Sequence, residues 1–185
     1  MKRIILASGS PRRKELLKRA GLMFEVHPSG YEETLDSNEF SYEKIENLAF
    51  NKAKYVSDEI PDDAVIIGAD TVVVLDGRIL TKPHDRKDAF VMLKSLSGVK
   101  HEVVTGICVI DKYTNETKIN HVTTSVQFAD LTDEQINYYI DNFKPFDKAG
   151  AYGIQEMPSE YIHKVEGSFE NVIGLCTKTV LEMLK

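Results

Sequence analysis

The chain has 185 residues, 42% of them apolar and 28% charged, with a net charge of −6 at neutral pH. A globular chain of this length buries roughly 70% of its unfolded surface, enough for one core or for two small lobes sharing a cleft. No run of about 18 apolar residues exists, which argues against a transmembrane helix, and the acidic balance argues against a non-specific nucleic-acid binder.

At the N-terminus, MKRIILASGSPRRKE has the outline of a signal peptide, but its apolar part, Ile4 to Ala7, falls short of the roughly 7–15 residues of an h-region. A cytoplasmic chain is expected. Cys108 and Cys176 form no CxxC pair, which suits a reducing compartment. Residues 3–7 predict a short strand. A helix follows from Pro11 to about Ala20, with Ser10 as N-cap, Pro11 in the first turn and Gly21 as its stop. Residues 22–27 predict a second strand, and 29–41 a polar loop carrying Glu32 and Glu33. Ile45, Leu48, Ala49, Ala53 and Val56 recur at helical spacing, so a helix is expected from about Tyr42 to Ser57.

Residues 64–75 are β-branched and apolar but interrupted by Gly-Ala-Asp-Thr, and Asp76-Gly77 then signals a hairpin. Asp85 and Gly98 bracket a helix over about 86–96. Two long antiparallel strands, 101–110 and 117–129, are joined near Thr114-Asn115. Thr132 and Gln135 form a capping box that opens another helix. A strand near 161–166 and a single helix from about Asn171 to Leu184 close the chain. The pattern predicts a mixed α/β fold with two lobes around a cleft, within one domain covering residues 1–185.

Three features break the packing rules, and such breaks mark function. Asp70 intrudes into an apolar strand, where a carboxylate is costly unless paired or bound to a metal. The plain alternative is a bend with a solvated Asp. Lys52 lies on the apolar stripe of its helix, either snorkelling outward or aimed into a cleft. In ASGSPRRKE a strand opens directly into a helix N-terminus, which favours an anion, and Ser8, Ser10, Arg12 and Arg13 add hydroxyls and cations. No Walker A pattern is present, so the segment is not a P-loop. Lys82 is a further cation in a loop, and Glu32-Glu33 is either a metal-holding pair or solvated charge. The five histidines show no zinc spacing, and no nucleophile triad follows from spacing alone. The inventory suits metal-assisted phosphoryl chemistry.

ILASGSPRRKELL at 5–17, NKAK at 51–54, IIGADTVV at 66–73, KP at 82–83, LSG at 96–98 and DKAGAYGIQ at 147–155 together resemble the Maf family, over about residues 4 to 182. The resemblance implies a fold related to that of inosine triphosphatases. It implies a nucleoside triphosphate pyrophosphatase that uses Mg²⁺ or Mn²⁺ and releases a nucleoside monophosphate and pyrophosphate. It further implies a cytoplasmic protein, a homodimer and a link to septum formation. Asp70 matches the family's general base. Arg12, Thr71 and Gln155 match the positions that set substrate choice, and the combination resembles the branch acting on dTTP and UTP rather than on 7-methyl-GTP. Ser8, Arg13, Lys52 and Lys82 fall on substrate-binding positions, and Glu33, with Asp70, on a metal-binding one. The sequence departs from the family at Glu156 to Tyr161, at Thr81 and at Cys176, all near the mouth of the expected site. The competing expectation is a nucleotide-binding regulator of septum formation that does no chemistry. A binder of phosphorylated nucleic-acid ends is disfavoured by the net charge.

Overall fold

Strands and helices alternate along the chain and join in a single mixed sheet. The computed structural model describes residues 2–32 and 39–185. In order they form β1 (Ile4–Leu6), α1 (Pro11–Arg19), β2 (Glu25–Val26), α2 (Tyr42–Glu59), β3 (Val65–Leu75), β4 (Arg78–Leu80) and α3 (Arg86–Leu96). These are followed by β5 (Lys100–Asp111), β6 (Glu116–Phe128), α4 (Asp133–Phe143), β7 (Ile162–Glu166), α5 (Phe169–Ile173) and α6 (Thr177–Met183). The sheet order is β2-β1-β3-β5-β6-β7, with β4 paired to β3. Among the described residues, only β1 runs parallel to its neighbours; the remaining pairs are antiparallel.

The expected caps are present. The hydroxyl of Ser10 accepts from Arg13 N, Asp85 caps α3, and Thr132 with Gln135 closes a reciprocal capping box. Three expectations change. The second strand shrinks to two residues, because β1 offers it only Ile5 and Leu6 as partners. The break expected at Gly-Ala-Asp-Thr does not occur: β3 runs straight through, paired with β5 from Val65 to Val74 without a slip. Gly68 is there for a different reason. A Cβ on it would stand 2.3 Å from the Ala49 carbonyl oxygen, and one on Gly106, which pairs with Asp70, would stand 2.4 Å from that of Ile45. The two glycines let α2 lie directly on the sheet. Finally, the closing helix is two helices, broken at Gly174, whose φ of 142° only glycine adopts readily.

Side chains of β3 alternate between faces. Ile66, Val72 and Val74 pack under α2, whereas Val65, Ile67 and Ala69 pack with Leu17, Leu175 and Val180 on the other side. A further core, built on Val73, Leu93, Phe128 and Ile136, fills the far end of the sheet beneath α3 and α4. The long strands β3 and β5 therefore bridge two lobes. No helix among the described residues is long and apolar enough to cross a membrane.

Candidate active site

The site begins as a gap in hydrogen bonding. One edge of β3 is covered by β5. The other edge is shared by two short strands: β1 pairs with Val65 to Ile67, and β4 with Val73 to Leu75. Residues 68–72 between them have no strand partner on that edge among the described residues. A cleft of about 770 Å³ opens at this gap, lined by the β1–α1 loop, β3, β4 and the segment around residues 147–156.

Asp70 lies in the gap on the face covered by α2, at 6% exposure. The Lys52 ammonium donates to its Oδ1, and the lysine side chain is itself only 13% exposed. The lysine on the apolar stripe therefore turns inward, and the intruding acid is paired rather than solvated. A buried carboxylate beside a buried ammonium satisfies the requirement that interior charge be compensated.

Thr71 points to the opposite face. Its hydroxyl accepts from Arg13 Nη2 at 3.0 Å and lies 2.9 Å from Thr105 Oγ1 and 3.2 Å from the Gly174 carbonyl oxygen. Arg13 is buried. Its Nε donates to Gly174 O at 2.9 Å, and its Nη1 to Ala69 O at 2.9 Å and Ser8 Oγ at 3.1 Å. The cation that the dipole of α1 disfavours is thus stabilised by carbonyls and hydroxyls of three other segments. Ser8 also accepts from Ser10 N at 3.3 Å, which fixes the turn into α1.

Arg12 and Lys82 line the mouth of the cleft. Arg12 Nη1 reaches across to Asp147 Oδ2 at 3.6 Å. Asp147 begins a loop whose Gly150 and Ala151 both have positive φ, 66° and 59°. A non-glycine residue there is strained by roughly 1 kcal/mol or more. The amides of Gly150 and Ala151 bond to Thr81 O and Lys148 O, which hold the shape. Lys148, 8% exposed, places its Nζ 2.9 Å from Asp147 Oδ1 and 3.2 Å from Glu156 Oε2. Burial pushes the Asp147 carboxyl up, but Lys148 and Arg12 outweigh it and hold it below the usual range. Gln155 stands exposed on the rim. Beneath the loop, Tyr152 Oη lies 2.8 Å from His101 Nε2, and burial drives the His101 value down to about 4 and the Tyr152 value upward, so both are neutral.

Ser8, Arg12, Arg13, Lys52, Asp70, Thr71, Lys82 and Gln155, all expected from the sequence, line this one cleft. Glu33 lies outside the described residues. Asp147, Lys148 and Glu156 were not expected as site residues. Asp147 and Lys148 open the segment DKAGAYGIQ and Glu156 directly follows it, so the segment is the signal that marks all three. The described residues hold no group of three or more acidic, His or Cys side chains fit for a metal. Asp70 is a hard oxygen donor at the gap, and Mg²⁺ is commonly held by one or two carboxylates with phosphate oxygens completing its shell. The donor set fits such an ion when a phosphorylated ligand is present. Val73, Ile79, Val103, Ile154 and Ile173 add apolar surface to the lining of the cleft.

A family model described as Maf-like protein matches residues 3–185. The chain is 48% identical to a dTTP/UTP pyrophosphatase of Alkaliphilus oremlandii (strain OhILAs) over 95% of this chain and 91% of that protein. It is 42% identical to a dTTP/UTP pyrophosphatase of Ruminiclostridium cellulolyticum over 100% of this chain and 96% of that protein. Among solved structures, the Staphylococcus aureus Ham1 protein aligns over 100% of both chains with a TM-score of 0.51 and 16% identity, a likeness of fold alone.

Proposed function

The chain belongs to the Maf-like protein family, and from this premise we propose that it hydrolyses dTTP and UTP to the nucleoside monophosphate and pyrophosphate. The observation that carries the reading is Asp70, buried and paired with Lys52, in a sheet gap lined by cations. The triphosphate lies along the β1–α1 loop, where the hydroxyl of Ser8 and the charges of Arg12, Lys52 and Lys82 oppose its negative charge. Arg13 holds Ser8 and Thr71 in place from behind. Water attacks phosphorus at the α–β anhydride. Its proton passes to a carboxylate oxygen of Asp70, and the electrons of the broken P–O bond leave with pyrophosphate. Lys52 steadies the developing charge. Asp70 would hold a divalent cation, Mg²⁺ or Mn²⁺, which would supply further charge neutralisation at the phosphates.

Apolar side chains of the cleft lining receive the base. The side-chain amide of Gln155 offers both a donor and an acceptor to the imide edge of uracil or thymine, a pattern that cytosine does not match. Cys108 and Cys176 are both buried and unbridged, which supports a cytoplasmic place of work.

The test is a product assay with Mg²⁺ and each common nucleoside triphosphate. UTP and dTTP are expected to give monophosphate and pyrophosphate, with CTP turned over far more slowly. Asp70→Asn is expected to lower kcat by roughly 10²–10⁴-fold. Near-normal turnover in that variant, or equal rates on UTP and CTP, overturns the corresponding part of the reading.

A further inference from the structure

The base-reading rim is held from below by one buried ammonium. Lys148 is 8% exposed, yet its two acidic partners are open to solvent, Asp147 at 66% and Glu156 at 44%. Each acid leads to a position read above as setting substrate choice. Asp147 carries its second oxygen to Arg12 Nη1 at 3.6 Å, across the cleft. Glu156 adjoins Gln155 in the chain. The turn between them is tight: the amides of Glu156 and Met157 both donate to Gly153 O, at 3.0 and 3.1 Å. Gly153 in turn lies directly on the lysine stem, since a Cβ there would stand 2.8 Å from Lys148 Cε. Lysine stem, glycine and the two carboxylates therefore form one clamp.

We propose that Lys148 is a positioning residue for nucleobase choice. It acts through Asp147 on Arg12 and through the 153–156 turn on Gln155. An exposed lysine-carboxylate pair contributes little. This one differs because the ammonium is buried and its stem is packed, so the two carboxylates have a fixed point to converge on. Small displacements of groups that orient a substrate are costly to selection and rate. The inference rests on the pyrophosphatase reading.

The experiment compares kcat and KM for UTP and CTP in the wild-type protein and in Lys148→Met, Lys148→Arg and Glu156→Gln. Lys148→Met strands no buried charge, because both acids it releases are solvated, so the protein is expected to fold; a thermal melt checks this. The expected result is a fall of about tenfold in the UTP-to-CTP ratio of kcat/KM, carried mainly by KM for UTP. Lys148→Arg is expected to restore most of the ratio. Glu156→Gln keeps the lysine and removes one anchor, so a smaller fall in the same direction is expected, and it tests the clamp even if Lys148→Met melts early. An equal loss on both nucleotides makes Lys148 a phosphate contact and overturns the proposal, as does an unchanged ratio. A wild-type protein that hydrolyses neither nucleotide overturns the pyrophosphatase reading itself, and the proposal with it.

Discussion

Arg13 spends its guanidinium on the protein: two carbonyls, two hydroxyls and no exposed surface to speak of. Lysine cannot reproduce that planar fork. Arg13→Lys is therefore expected to cost about 3 kcal/mol of stability, since buried acceptors lose charge-assisted hydrogen bonds. Urea denaturation measures this, and a variant of undiminished stability with a raised KM would instead make Arg13 a direct phosphate ligand. The same residue shows what was legible. Asp70 and Lys52 stood out in the sequence because a charge in an apolar period is visible without coordinates. That Arg13 would be held by Ala69 and Gly174, 56 and 161 positions away, was not, because those carbonyls belong to segments that only the fold brings together. Lys148 is not legible in the sequence, because a lysine next to an aspartate in a glycine-rich stretch has the pattern of solvated charge.

Among the elements, β3 and α2 matter most. Helix α2 carries Lys52, and it reaches Asp70 because Gly68 and Gly106 let its backbone touch the sheet. Gly68→Ala and Gly106→Ala both force the helix away from rigid backbone, at about 1–3 kcal/mol each. Activity at a temperature well below the melt is expected to fall as well, since the displaced helix draws Lys52 off Asp70. Full activity in both variants would mean that the ion pair tolerates the shift. The sequence reads Gly68 as part of a break in the strand, and the close approach of α2 is not legible there because a single strand carries no information about what lies above it. The closing helix was misjudged for a related reason. Its break falls at Gly174, whose φ is 142° and whose carbonyl Arg13 and Thr71 engage from distant segments.

At the scale of the whole molecule, two lobes share one sheet, and the lobe beneath α3 and α4 encloses His101 at 2% exposure. Burial lowers its value from 6.5 to about 4. Unfolded chains therefore bind a proton that the folded protein refuses. Stability is complete above pH 6.5 and is lost as the pH falls toward 4, by about 3 kcal/mol in all. Denaturant midpoints across this range should show the slope, and His101→Asn should flatten it. The lobed arrangement was legible from the alternation of elements, whereas the gap between β1 and β4 was not, because it depends on where two short strands stop along a third. That gap has a consequence beyond catalysis. An unpaired strand edge invites another chain to add itself, and proteins guard such edges with inward charges or covering groups. Here Arg13 occupies the Ala69 carbonyl and the Asp70 carboxylate sits beside it. The opening is thereby made inhospitable to a strand, so a substitution that removes the Asp70 charge also removes a guard against aggregation.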